Sequence, residues 1–485
     1  MDYWTAKDLV AALQAREVSA VELVDRSITR IAAYDGKLNA VVVRDVERAR
    51  SAAAAADKAL ARGEHRPLLG LPMTVKEAHN VAGLPTTWGI PGTQHLQASE
   101  DAVAVGRLKA AGAVLLGKTN VPFMLADWQS YNAIYGVTNN PWDLGRTPGG
   151  SSGGAAAALA AGYVALELGS DLAGSLRIPA HCCGVFAHKP THGLVPLRGF
   201  APPGTPSLSV STDVDLAVVG PMARSAGDLA LALDVVAGPD DDEAAAYKLA
   251  LPPPRHADLE RFRVLVVDEH PLVPTADSIR SALGTFADNL VRAGSKVGRA
   301  SPALPDLALV ARTYAQLLMS FIGADLPDDA YRRSQAAAAA LLPDDATPSA
   351  LSLRGTVMSH RAWISTDRVR AGVAHQWRQL FREWDVVVCP VMPTLAFSHD
   401  HKDMNAREIV VDGTVIPYVA QSMWSSVATL TGLPATAMPI GISEDGLPIG
   451  IQIVGPYLED RTTITFATLV ERELGGFVIP PGFER

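Results

Sequence analysis

Cysteine is almost absent: Cys182, Cys183 and Cys389 are the only three in 485 residues. Three is too few for a disulfide framework, and neighbouring cysteines rarely bridge each other, so a reducing compartment is expected. Dense runs of lysine or arginine are missing too, and the net charge is −9. A nucleic-acid groove needs clustered positive charge, so no nucleic-acid partner is expected. The opening residues, MDYWTAKDLV, hold no basic stretch followed by an apolar core, and no signal peptide is read there. The longest apolar stretch, Ala155 to Leu166, is far short of a membrane span, and its alanines fit a tightly packed core helix. The expectation is a soluble cytoplasmic protein without a membrane partner. What is present is the balance of a folded globular chain, 48% apolar and 19% charged, too apolar for disorder.

The N-terminal third reads as helices. Ser19 and Glu22 form a capping-box pair, with Val18 and Leu23 at staple spacing. Val24, Ile28 and Ile31 recur on one helical face, and the alanine-rich segment from Asp45 to Arg62 predicts another helix. From Leu68 onward short β-prone runs alternate with helices and glycine turns. Ala104 to Ala111 predicts a helix stopped by Gly112, and Ala113 to Leu116 a buried strand. This alternation argues for a sheet with helices on its faces. Pro239 to Glu243 and Pro252 to Pro254 bracket an acidic, proline-rich connector expected to be exposed. Arg263 to Val267 predicts a strand, residues 276–293 a helix ending at Gly294, and Val386 to Cys389 another buried strand. Residues from about 305 to 380 read as mostly helical.

Three patterns mislead. Gly112-Ala-Val-Leu-Leu-Gly117-Lys118-Thr119 matches a P-loop formally, but its variable positions look like the strand itself, whose amides would be spent on the sheet. Gly149-Gly150-Ser151-Ser152-Gly153 matches the elbow of serine hydrolases, yet a polar loop with two prolines precedes it where that motif needs a strand. His181, Cys182, Cys183, His188 and His192 fit no common zinc spacing, and Pro190 keeps His188 and His192 off one regular helical face. No metal site and no cofactor is therefore expected.

Two serines stand in glycine-rich settings: Thr147-Pro-Gly149-Gly150-Ser151-Ser152-Gly-Gly154, and Gly169-Ser170-Asp171-Leu172-Ala173-Gly174-Ser175-Leu-Arg177-Ile-Pro179. Successive N–H groups in such a loop can converge on one point, which makes Leu172, Ala173, Gly174 and Ser175 a candidate oxyanion hole. The third element is Lys76, a lysine ending the apolar run Leu71-Pro-Met-Thr-Val, where burial is costly unless the amine has a use. A hydroxyl nucleophile needs such a base within reach.

Together the three segments resemble the amidase signature family. The serines are 24 residues apart and in the family's order, and Lys76 is followed by Gly83-Leu-Pro-Thr86-Thr87-x-Gly89. The resemblance is strongest from about residue 68 to 193. It returns in Thr431-Gly-Leu-Pro-Ala435 and in Gly446-Leu-Pro-x-Gly-x-Gln452-x-x-Gly455. It implies one α/β domain over residues 1–485, with a large mixed β-sheet sandwiched between helices. It implies Ser175 as nucleophile, Ser151 as bridging serine in a cis peptide, Lys76 as base, Asp171 and Arg177 as supports of the nucleophile loop, and Gly149 and Gly150 along the cleft. Leu172-Ala173 departs from the commoner Thr or Ile followed by Gly, and Glu77 from the commoner Asp. The lead-in Asn-Pro-Trp-Asp-Leu-Gly-Arg with the Ala-Gly-Ser loop also resembles nylon-oligomer cyclic-dimer hydrolases.

The implied activity is hydrolysis of a small-molecule amide. The amidase subunit of a tRNA-dependent amidotransferase and an inactive amidase-fold binding protein are the alternatives, and a homodimer is left open. Phe123, Met124, Trp128 and Tyr131 form an aromatic-rich cluster just upstream of the serine loops. With the helical region around 305–380, they are expected to wall a pocket for an apolar or aryl acyl group.

Overall fold

The structure, a computed structural model, describes residues 1–205, 214–345 and 347–484. Eleven strands form one mixed sheet. In chain order they are β1 (Val41–Arg44), β2 (Pro72–Lys76), β3 (Val114–Thr119), β4 (Leu166–Asp171), β5 (Phe186–Lys189), β6 (Val218–Ala223), β7 (Arg263–Val266), β8 (Lys296–Gly298), β9 (Val386–Pro390), β10 (Ala435–Ile442) and β11 (Pro448–Val454). Their order across the sheet is β1-β3-β2-β4-β6-β5-β10-β11-β9-β7-β8. The strand β2 runs parallel to both its neighbours, β3 and β4, and β7 runs parallel to β8 and β9; the remaining pairs are antiparallel.

Both faces of the central strands of this sheet are buried. Side chains alternate across a strand, and here Val264, Val266, Val386 and Val388 join one apolar cluster while Leu265, Val387 and Cys389 join another. A strand covered on both faces reads as a continuous apolar run, which is why residues 386–389 were legible. The expected mixed sheet between helices is the observed architecture.

The helices obey local chemistry. The first two are α1 (Ala6–Ala15) and α2 (Ala20–Leu38). Ser19 caps α2: its Oγ accepts from Glu22 N–H, and the Glu22 carboxylate accepts from Ser19 N–H at 2.8 Å. The alanine-rich segment forms α3 (Val46–Ala61). Between α2 and α3 the sequence reading missed β1. Val41, Val42 and Val43 are β-branched, but four residues between two helices are too short to stand out. The helix α4 (Val103–Ala110) ends before Gly112, whose φ is +96°. The P-loop-like pattern is then strand: β3 continues to Thr119, and a side chain at Gly117 would collide with the Val43 carbonyl of β1.

The Ala155–Leu166 stretch divides. Its alanines form α5 (Gly153–Ala160), wholly buried, and after a turn at Gly162 the chain enters β4. The helix α6 (Arg177–Cys183) follows, packed on β5, β10 and β11. The connector is largely exposed as expected, including its short turn of helix at residues 241–244, and Asp240 and Asp241 are held by Arg198. The helical region consists of four helices, including Leu307–Ala324 and His360–Glu383. Leu307–Ala324 is, among the described helices, the one long and apolar enough to cross a membrane. Here Val310, Ala311, Tyr314 and Leu317 of that helix are buried in the core.

Candidate active site

Lys76 is the last residue of β2 and has no exposed surface. Its Nζ lies 2.6 Å from Ser151 Oγ and 2.9 Å from Ser170 Oγ. Burial pulls its pKa down from the usual lysine value to about 7, against the upward pull of the Asp171 and Glu167 carboxyls. A buried amine in that range is part neutral at neutral pH, and it lies within hydrogen-bond reach of the Ser151 hydroxyl.

Ser151 precedes α5, and the Gly150–Ser151 peptide is cis. The loop before it is clamped from behind: Ser130 Oγ donates to the Gly149 carbonyl and accepts from Gly153 N–H, both at 3.0 Å. A side chain on Gly149 would strike Pro179, and one on Gly150 the Asp127 carbonyl. These two glycines are needed for contact with the protein's own backbone.

The loop of Ser175 joins β4 to α6. Asp171 holds it together. One carboxylate oxygen accepts from Gly174 N–H at 2.9 Å, the other from Leu176 N–H at 3.1 Å, and Arg177 bonds both oxygens through Nε and Nη2. Burial pushes the Asp171 carboxyl up, but Arg177 outweighs it and leaves the group at about 2. Arg177 is itself fixed by Gln452, Thr429 and the Ser425 carbonyl. Gly174 therefore departs from the expected donor set, because its N–H is already given to Asp171. The N–H groups of Leu172, Ala173 and Ser175 make no hydrogen bond among the described residues. Neither does Ser175 Oγ, and Ser175 is 7% exposed.

Two distant segments pin the carbonyls of the same loop. Trp128 Nε1 donates to Ala173 at 2.9 Å, and Tyr314 Oη donates to Leu172 at 3.1 Å. Of the four residues expected to wall a pocket, Trp128 is the one the structure ties to the Ser175 loop. Tyr131 stands one layer further out, stacked on His401 and bonded by Arg407, which pairs with buried Asp127; Tyr418 Oη donates to Asp127 as well. Phe123 is 54% exposed, and with Met124 it forms a turn beside Trp88. Neither bonds the lysine or serine side chains among the described residues. Sequence reasoning missed Ser170, Ser130 and Tyr314. Ser170 sat inside a motif read for its glycines, whereas nothing in the sequence links Tyr314 to a loop more than a hundred residues away.

The histidines and cysteines separate. His188 bonds Thr436 and Asp460, His181 lies between the Gly450 and Thr394 backbones, and burial pushes the Cys182 and Cys183 thiols up. Among the described residues no group of three or more His, Cys, Asp or Glu side chains could hold a metal ion.

The amidase family model matches residues 22–464. The chain belongs to the amidase signature family. It is thus a hydrolase of carbon–nitrogen bonds. It is 32% identical over 474 residues to a glutamyl-tRNA(Gln) amidotransferase subunit of Roseiflexus castenholzii, covering 94% of this chain and 93% of that one. It is also 32% identical over 478 residues to an indoleacetamide hydrolase of Bradyrhizobium diazoefficiens, covering 97% and 86%. In structure this amidase resembles a chain of a vestigial protein complex described as revealing the evolutionary origins of an s-triazine catabolic enzyme, with a TM-score of 0.81, 31% identity and coverage of 97% and 98%. It also resembles a 6-aminohexanoate cyclic dimer hydrolase, with a TM-score of 0.78, 26% identity and full coverage of both chains.

Proposed function

We propose that this amidase cleaves a small carboxylic amide to acid and amine or ammonia through an acyl-enzyme on Ser175. The observation that carries the reading is the contact of Lys76 Nζ with Ser151 Oγ in a fully buried setting. Neutral Lys76 takes the Ser151 hydroxyl proton as Ser151 takes that of Ser175, and Ser175 Oγ attacks the carbonyl carbon. The tetrahedral oxyanion is held by the unused N–H groups of Leu172, Ala173 and Ser175. The proton returns from Lys76 through Ser151 to the leaving nitrogen, and the C–N bond breaks. Water then attacks the ester, passing a proton along the same serine and lysine, and Ser175 departs with the proton returned. Asp171 and Arg177 fix the loop, and Gly149 and Gly150 let the Ser151 segment pack beneath it.

The acyl group is expected to be apolar or aryl, because Trp128 stands against the nucleophile loop, with Tyr418 beside it at a ring distance of 5.4 Å. Phe123, Met124 and Tyr131 complete that wall in this reading. Trp128→Ala and Tyr131→Ala should reorder a panel of aryl and short alkyl amides, with Trp128→Ala also lowering kcat about tenfold through loss of the bond to Ala173. If both variants lose stability and keep the wild-type ranking, these rings are core and not pocket.

The purified chain alone, assayed against amides that include glutamine, tests the function itself. Turnover of aryl or alkyl amides without a second subunit is expected. Glutamine as sole substrate, with a partner required, would establish the amidotransferase role instead.

A further inference from the structure

Glu167 is a buried carboxyl for which the serine–lysine relay has no role. It lies on β4 opposite Thr74 of β2. Its Oε1 accepts from Thr119 Oγ1 at 2.7 Å, and Thr119 lies on β3 opposite Lys76. Since β2 runs between β3 and β4, the Glu167 side chain must cross over β2 to reach Thr119. Partners on parallel strands, and residues two apart on one strand, share a face. The crossing therefore passes between Thr74 and Lys76, on the lysine's own face of the sheet. Strand spacing and rise put the Glu167 and Lys76 Cα atoms about 8 Å apart. Glu167 Oε2 and Thr74 Oγ1 are both buried without a hydrogen-bond partner among the described residues.

The other charges near Lys76 are committed. Asp171 is closed by Arg177 on both oxygens. Lys118 points to the opposite face, where it bonds Thr86 and approaches Glu77 at 3.9 Å. Lys189 bonds the Pro190 carbonyl. His79 is buried, and burial together with Lys76 and Lys118 pulls its pKa to about 3, so it is neutral. Among the described residues, Glu167 is the carboxyl on this face that no cation has claimed.

We propose that Glu167 is the counter-charge of Lys76, a positioning residue that keeps the lysine able both to take a proton from Ser151 and to give it back. The inference rests on Lys76 as the base. A buried ammonium with no nearby negative charge is too costly to form, and a base that cannot be protonated cannot accept the Ser151 proton. Glu167, once its own proton has been lost to solvent, supplies the negative charge that a protonated Lys76 needs and takes no part itself in the transfer from Ser151. Burial raises Glu167 to about 8 while Lys76 is drawn to about 7, so the two groups titrate in overlapping ranges.

The test is a pH profile of kcat/KM, and of fluorophosphonate labelling of Ser175, for wild type, Glu167→Gln, Glu167→Asp and Thr119→Val. The glutamine variant keeps the shape and an oxygen for Thr119 but never carries charge. Its activity limb should move to lower pH by about one unit. Thr119→Val, which takes a hydrogen bond from the carboxylate, should move it the same way by less. Glu167→Asp should bring it back toward wild type. A structural filler would change stability or plateau activity and leave the limb in place. An unmoved limb in the variants that fold overturns the proposal. Wild type that is not labelled on Ser175, or is labelled without a limb, overturns the relay reading and this inference with it; a normal wild-type limb that ignores Glu167 and Thr119 overturns the inference alone.

Discussion

Replacing Lys76 by methionine is expected to abolish amide hydrolysis and leave the fold as stable as wild type, or more stable, at neutral pH. The unfolded lysine holds its proton up to about pH 10.4, whereas the folded one gives it up near 7. Between those values the unfolded chain binds more protons than the folded one, so wild-type stability rises with pH across that window. At neutral pH the deficit is on the order of 4 kcal/mol, from about three units at 1.36 kcal/mol each. Methionine has the length and burial preference for the site and carries no such deficit. It does leave Ser151 and Ser170 without their amine partner, a cost of about 1–3 kcal/mol for each buried hydroxyl left unpaired. The sharper expectation is therefore the pH trend. The advantage of the methionine variant over wild type should shrink by several kcal/mol between neutral pH and pH 10 or so. Denaturant melts of both proteins across that range would show it, alongside a pH–rate profile with a basic limb near the depressed pKa. An active variant, or one that is strongly destabilised at neutral pH and recovers toward pH 10, would sink the neutral-lysine mechanism.

Ser175→Ala should lower turnover by roughly 10³-fold or more, the scale of other nucleophile deletions, with little change in stability. The second half follows from geometry. The Ser175 hydroxyl makes no hydrogen bond among the described residues, and its backbone carbonyl still accepts from Ser152 N–H after the substitution. A fluorophosphonate should label Ser175 in the wild type and nothing in the variant. Ser152, in the same glycine-rich stretch as Ser151, has no exposed surface, and its Oγ donates to the Ser170 carbonyl at 3.3 Å. Mass spectrometry placing the adduct on Ser151 or Ser152 would overturn the assignment of roles.

The sequence made some features legible because their chemistry is local. A capping box is three residues long, and a strand buried on both faces is a run of valines, so α2 and β9 could be read directly. The lysine and two serines were visible because each sat in an unusual setting within its own segment. What could not be read was whatever depends on strand order. Glu167 looks like one polar residue in an apolar run until β2 is placed between it and Thr119. Gly174 looks like an oxyanion donor until Asp171 is seen to use its N–H. The aromatic cluster also divided by register: Trp128 reaches the Ser175 loop, whereas Phe123, five residues earlier, lies on an exposed turn. The same limit hid β1, which is recognisable as a strand only through its pairing with β3.

The bond from Tyr314 to the Leu172 carbonyl has a practical consequence for anyone re-engineering this enzyme. The helices between residues 305 and 380 invite exchange with those of relatives as a way to alter what is cleaved. One of them also props the backbone of the Ser175 loop, so a transplanted segment lacking a hydroxyl at that point should alter the proposed reaction centre along with the specificity. A graft that retains Tyr314 and its approach to Leu172 separates the two effects.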